Sequence, residues 1–290
     1  MSTRAESYLV GLIGDGVMPS LTPPMHERAA EVHGLHYLYR PIDLTELNLP
    51  ASDIGELLQA GAKLGFNAFN VTHPCKQLVL DHLDDIAPMA KAIGAVNTVV
   101  IDEGKFIGHN TDASGFARGL EEGLPNSKKQ KVLQLGAGGA GAAVAYALLA
   151  SGTQELHIVD LDEQRVTHRV QELRKNFPQA SIHAATPAQV SQLLSEADGL
   201  LNATPIGMHH HPGLPLDITA LEPRHWVADC IYRPVDTELI VAARDLGCQV
   251  LDGGYMAVGQ AVDAFEIITG IRPETHQVRE HLLEMLEKGL

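Results

Sequence analysis

Residues 131–141 read Lys-Val-Leu-Gln-Leu-Gly-Ala-Gly-Gly-Ala-Gly, an apolar run of strand length that ends in a glycine cluster. The alanine-rich stretch 142–150 that follows has the composition of a buried helix. Gly136-Ala137-Gly138-Gly139-Ala140-Gly141 thus satisfies G-x-G-x-x-G at the mouth of a helix that leaves a strand, the setting in which that motif carries meaning. The first glycine permits a tight turn, the second lets backbone approach a pyrophosphate, and the third allows close helix–strand packing. The helix N-terminus adds unpaired N–H groups and the positive end of its dipole. In another setting the same glycines would be a turn and nothing more. Here they predict a dinucleotide-binding fold.

Working outward, Leu156–Asp160 reads as the next strand. It ends on an acid at the distance where a carboxylate accepts from the adenosine ribose hydroxyls and repels a 2′-phosphate. Asp160 or Asp162 could instead simply cap the following helix; both readings hold if Asp162 caps and Asp160 reads ribose. A helix from about Glu163, a strand near Ile182, a helix opened by Thr186-Pro187 with Gln189 in the capping-box position, and strands at Gly199–Asn202 and Trp226–Ile231 complete a doubly wound series.

Upstream, Glu121-Glu122-Gly123-Leu124-Pro125-Asn126 reads as a surface connection. Before it come a strand at Tyr8–Ile13, a helix opened and capped at Thr22-Pro23-Pro24, a strand at Leu35–Arg40, a helix at Ile54–Lys63 and a strand at Phe66–Val71. After a helix starting near Pro74, Val96–Ile101 and Phe106–His109 form a hairpin across Asp102-Glu103-Gly104-Lys105. The first half is therefore a mostly parallel α/β sheet with an antiparallel addition. Two amphipathic helices flank a break at Gly270-Ile271-Arg272-Pro273, from Gly254 to Leu290.

A chain of 290 residues has room for two domains of ordinary size. A net charge of −15 and a pI near 5.4 argue against a nucleic-acid partner, which needs a basic face to displace counterions. The opening MSTRAESYLV lacks the apolar run of a signal peptide or membrane anchor. Cys75, Cys230 and Cys248 are few, odd in number and far apart, which fits reduced thiols in a cytosol. No metal-binding spacing appears; His209-His210-His211 reads as an exposed loop able to bind metal only adventitiously.

Three polar clusters fall at predicted strand ends, where open α/β sheets place their ligand crevice. Ser20 and Thr22 put two hydroxyls at a helix start, suited to a carboxylate or to capping alone. Lys76, in Asn70-Val71-Thr72-His73-Pro74-Cys75-Lys76, sits at the base of a helix leaving a strand; a lone lysine is more often a solvated charge. Asn97 and then Asn110-Thr111-Asp112 form the third cluster, where Asp112 could be only a cap. Removing hydride from an alcohol also releases a proton, and an amine beside a carboxylate can hold the hydroxyl and move that proton.

With these pieces in order, the chain resembles the shikimate/quinate dehydrogenase family across nearly its whole length. The matching segments are Ser20–His26, Asn70–Lys76, Gly94–Thr98, Gly108–Asp112, Gly136–Gly141, Asn202–Met208, Asp229–Tyr232, and Met256 with Gln260-Ala261. The resemblance implies a substrate domain over 1–112, completed by helices in 254–290, with a Rossmann-type NAD-binding domain over 113–253. It implies that Lys76 and Asp112 are catalytic, Lys76 moving the proton. Ser20 and Thr22 would hold the substrate carboxylate, and Thr72, Asn97 and Gln260 its ring hydroxyls. Tyr232 would lie near the carboxylate; for Tyr232 and Gln260, packing between domains is an equal alternative. Gly136, Ala137, Gly138, Gly139, Ala140, Gly141, Asp160, Asn202, Thr204 and Met208 would hold the cofactor.

Members that prefer NADP carry an Asn-Arg-Thr-like segment where this chain has Asp160-Leu161-Asp162, so NAD is expected and NADP disfavoured. Thr22, where biosynthetic shikimate enzymes have serine, resembles the branch that also takes quinate. The expectation is a cytoplasmic, monomeric or homodimeric NAD-dependent quinate/shikimate dehydrogenase. The alternatives are a shikimate-specific biosynthetic enzyme and a catalytically silent nucleotide-binding homologue, against which the presence of both Lys76 and Asp112 argues.

Overall fold

The computed structural model describes residues 7–289; the first six residues of the opening segment read above, and the last residue of the chain, lie outside them. Contacts divide the chain into two compact units, one of residues 1–111 with 258–290 and one of residues 112–257.

In the first unit, β1 (Ser7–Gly14), α1 (Thr22–Val32), β2 (His36–Asp43), α2 (Leu44–Leu47), α3 (Ile54–Leu64) and β3 (Ala68–Val71) make the alternating series. One-turn α4 (Cys75–Leu78), β4 (Asp85–Ile86), α5 (Pro88–Ile93), β5 (Thr98–Asp102) and β6 (Lys105–His109) follow. The sheet order is β2-β1-β3-β5-β6-β4. β1 is parallel to both β2 and β3, and the β5–β6 hairpin is added antiparallel to β3.

Three boundaries differ from the sequence reading for local reasons. Leu21, not Thr22, occupies the N-cap of α1, because the Ser20 hydroxyl already accepts from the Thr22 N–H at 3.3 Å. β3 starts two residues late because Phe66 still closes α3, its N–H bonded to the Gly61 carbonyl behind Gly65 at φ 89°. Val96 and Asn97 precede β5 because their N–H groups go to Lys76 and His109 carbonyls.

Helix α6 (Thr111–Gly123) begins at the boundary of the second unit. That unit contains β7 (Lys131–Leu135), α7 (Gly139–Ala150), β8 (Glu155–Val159), α8 (Glu163–Asn176), β9 (Ser181–Ala185), α9 (Val190–Glu196), β10 (Gly199–Asn202), β11 (Trp226–Asp229), α10 (Glu238–Asp245) and β12 (Gln249–Leu251). All pairings in the order β12-β11-β10-β7-β8-β9 are parallel. β10 and β11 are buried at every position, as expected where helices cover both faces. This is the doubly wound Rossmann-type arrangement. α11 (Gly253–Thr269) and α12 (Thr275–Glu287) are the two helices expected near the end of the chain.

Candidate active site

The dinucleotide cradle is built from the ends of β7 and β8. Gly136 has φ +97°, and a Cβ there would sit 2.6 Å from the Ala203 carbonyl oxygen. At Gly141 a Cβ would meet the Gly136 oxygen at 2.4 Å, so both obstacles are backbone and neither can swing aside. Over Gly138 nothing lies within 4 Å of where a Cβ would be, which leaves an open approach to the N-terminus of α7. The buried Gln134 amide donates to the Gly136 and Gly141 carbonyls at 2.8 and 2.9 Å, clamping the turn from beneath. The open face, glycine turn and helix terminus fit a pyrophosphate.

Asp160 accepts from the Ala137 N–H at 2.8 Å and from the Asp162 N–H at 3.0 Å. Asp162, not Asp160, caps α8, accepting from the Arg165 N–H at 3.0 Å. Asp160 therefore tethers the glycine loop to the end of β8. Leu161 is 87% exposed. A cation does come near from the first turn of α8: the Arg165 guanidinium lies 3.5 Å from Asp160 and 3.2 Å from Asp162. The sequence reading stopped at Leu161 and missed it.

The loop after β10 is held by a buried polar network. Asn202, completely buried, accepts from the Thr204 N–H and hydroxyl at 3.1 and 2.7 Å, and donates to the Ile206 carbonyl and to Asp229, both at 3.1 Å. Both amide donors and both acceptor positions are thereby used. The Asn202 side chain thus shapes the loop that carries Thr204 and Met208. Asp229 also accepts from the Ile231 N–H at 3.0 Å and from Thr237 at 2.9 Å. Burial pushes its carboxyl up to about 6, against the pull of those donors. Met208 lies further along this loop, 40% exposed.

In the first unit, Ser20, Thr72, Lys76 and Gln260 are all half-buried, as is Thr22 at the first position of α1. Asp43, at the end of β2, accepts from the Gly16 and Met18 N–H groups at 3.0 Å and from Thr45 at 3.1 Å. Burial opposes its charge, but the backbone donors outweigh it and hold the carboxyl below its usual range. Asp43 thus fixes the loop that delivers Ser20.

Asn97 is stitched to its neighbours on every side. Its carbonyl accepts from the Val71 N–H at 2.8 Å and from Asn70 at 3.2 Å. Its side chain accepts from the Thr111 N–H at 2.8 Å and donates to the Thr111 hydroxyl at 2.9 Å. The Lys76 carbonyl accepts from the Val96 N–H at 2.9 Å. Thr72 (next to Val71), Lys76 and Thr111 are all anchored on residues 96–97 or one residue away from them. Buried Asn70 accepts in turn from Tyr39 at 2.5 Å and donates to Thr98 at 2.8 Å. In the second unit, Asp112 is buried in the first turn of α6, where the helix dipole favours a carboxylate. Tyr232, just past β11, is half-buried.

Two segments match family models: residues 12–99 the shikimate dehydrogenase substrate binding domain, and residues 120–209 shikimate / quinate 5-dehydrogenase. A shikimate dehydrogenase (NADP(+)) of Arthrobacter sp. strain FB24 is 61% identical over 286 residues, 99% of this chain and 98% of the relative. A quinate/shikimate dehydrogenase (NAD(+)) of Corynebacterium glutamicum strain R is 46% identical, covering 97% and 99%. The solved structure of quinate dehydrogenase from Corynebacterium glutamicum in complex with NAD superposes with a TM-score of 0.92 at 46% identity, covering 96% and 99%. Agreement of this depth over almost the entire length means that the chain belongs to the shikimate/quinate dehydrogenase family of oxidoreductases, which work with a nicotinamide dinucleotide.

Proposed function

We propose that this chain is an NAD-dependent oxidoreductase that interconverts quinate with 3-dehydroquinate and shikimate with 3-dehydroshikimate. The observation that carries the cofactor choice is Asp160, whose carboxylate is fixed at the end of β8 by two backbone N–H groups. It offers acceptors to ribose hydroxyls and repulsion to a 2′-phosphate, with Leu161 where a phosphate would need a cation. Arg165 favours a second reading, an NADP-using shikimate enzyme, and the Arthrobacter relative carries that name. Against it, the guanidinium is drawn to two carboxylates, so a phosphate must compete with both.

In the proposed mechanism Ser20 and Thr22 bind the substrate carboxylate, and Thr72, Asn97 and Gln260 orient the ring, with Tyr232 near the carboxylate. Lys76 Nζ accepts the proton of the ring hydroxyl while Asp112 hydrogen-bonds the same oxygen and balances the charge that Lys76 gains. The nicotinamide supplies the acceptor for the hydride leaving carbon. In the reverse direction Lys76 returns the proton to the carbonyl oxygen. Residues 1–112 with 254–290 would serve the substrate and 113–253 the cofactor, the loop shaped by Asn202 and carrying Thr204 and Met208 lying against it.

No helix among the described residues is long and apolar enough to cross a membrane, and all three cysteines are free thiols. A cytoplasmic enzyme, monomeric or homodimeric, is the proposal that goes with membership of this family. Exchanging Asp160→Asn together with Leu161→Arg removes the repulsion and adds a phosphate fork. The ratio of kcat/KM for NAD over NADP should fall at least tenfold (about 1.4 kcal/mol); an unchanged ratio would remove Asp160 from the account.

A further inference from the structure

Away from the cofactor cradle, at the start and middle of β8 and the middle of β9, three potential ligands share one face of the sheet. His157 and His183 are directly paired in the parallel register of these strands. Their rings are stacked, with centroids 4.8 Å apart and planes 20° from parallel. Glu155 lies two residues before His157, hence on the same face, and its Oε1 is 2.7 Å from His157 Nε2. One ligand atom from each residue can be chosen so that all three fall within 4.8 Å of one another.

Ligand atoms around a four-coordinate zinc ion, at about 2.0–2.1 Å from the metal, stand about 3.3 Å apart. The Glu155–His157 pair is already nearer than that; closing the set needs a movement of about 1.5 Å and a turn of one imidazole out of the stack, since in-plane lone pairs of near-parallel rings do not converge, and the exposed His183 is free to turn. We propose that Glu155, His157 and His183 form a binding site for a borderline divalent transition cation of the zinc class. Two imidazoles and one carboxylate are the donors such ions select, and three protein ligands leave further positions to water.

Two neighbouring cations bear on the site. Lys131 reaches Glu155 at 3.1 Å and Glu196 at 2.6 Å; it can stay on Glu196 when Glu155 turns to a metal. Arg174, spent on the Ile182 carbonyl, also repels His183 and limits the affinity. His157 precedes Asp160 by three residues, about 10 Å of strand. The ion therefore takes no part in hydride transfer; it staples the edge strand β9 to β8.

The test uses tag-free full-length protein carrying His209→Ala, His210→Ala and His211→Ala, which removes the exposed histidine loop as a competitor. Equilibrium dialysis with Zn²⁺ should give one ion per chain, and Co²⁺ should develop the visible absorption of a site with fewer than six ligands. Adding His183→Ala or, separately, His157→Gln should weaken Zn²⁺ binding at least tenfold and abolish the Zn²⁺-induced rise in Tm. Neither should alter kcat measured without the metal, which shows that both variants are folded. No bound Zn²⁺ in the loop variant, or binding that His183→Ala and His157→Gln leave unchanged, would overturn the proposal.

Discussion

Replacing Asp229 with asparagine tests the buried network that shapes the loop after β10. The Asp229 carboxyl has an ordinary value of 3.8 and is pushed up to about 6, burial being the dominant cause. The folded chain therefore binds a proton in this interval that the unfolded chain has released. The stabilisation due to that proton is complete below 3.8 and is lost as pH rises through about 6. An interval of about 2 pH units at 1.36 kcal/mol each is worth about 3 kcal/mol. Asparagine does not titrate, so the stability of the unmodified protein relative to Asp229→Asn should fall by about 2.5 kcal/mol between pH 4, where most of that interval is still in force, and pH 7.5. Superimposed is a pH-independent cost of about 1–3 kcal/mol: the Thr237 hydroxyl now donates to Asp229 while accepting from the Ile240 N–H at 3.2 Å, and an amide Nδ2 leaves it no acceptor. The sole tryptophan, Trp226, is buried in the same strand as Asp229, so urea unfolding followed by its fluorescence reports on the right unit. A stability difference that does not change with pH would refute the reasoning.

Lys76→Ala should lower kcat by roughly 100-fold, the scale of a lost proton-transfer group, while titration with NADH shows binding retained; near-normal turnover would assign the proton to another group. Ser20→Ala with Thr22→Ala should raise KM for the hydroxy acid tenfold or more, since each charge-assisted hydrogen bond is worth about 1.5–3 kcal/mol. KM for NAD should stay within about twofold of its value, and equal changes in both constants would mean that the loop had misfolded.

Much of the fold was legible because its signals are local. The glycines at 136, 138 and 141 follow a five-residue apolar strand, and the switch between strand-length and helix-length apolar periods marks each crossover. The boundaries slipped for reasons periodicity does not record: at Leu21 a backbone N–H is taken by a side chain, at Val96 by a carbonyl twenty residues away, and at Phe66 by the closing turn of α3. Candidates for the site, Lys76, Asp112 and Asp160 among them, come from the sequence where motif and position coincide. Their supports do not. Gln134 reads as one polar residue in an apolar strand, and only the turn folding back over it reveals the clamp. Asp43 carries no motif; it caps α2 and also holds the Gly16–Met18 loop. Arg165 reads as one charge on a solvated helix face, and its approach to Asp160 appears only once α8 is placed. Glu155, His157 and His183 are spread over two strands with no metal-like spacing, and the parallel register alone makes them neighbours.

The central claim is tested most directly by kcat/KM of the unmodified enzyme for NAD and for NADP, each at saturating quinate and at saturating shikimate. The account predicts oxidation of both acids, with NAD favoured over NADP by at least about tenfold (about 1.4 kcal/mol) because Asp160 gains ribose hydrogen bonds with one cofactor and meets like charge with the other. Equal use of the two cofactors, a preference for NADP, or turnover of shikimate with none of quinate would contradict it.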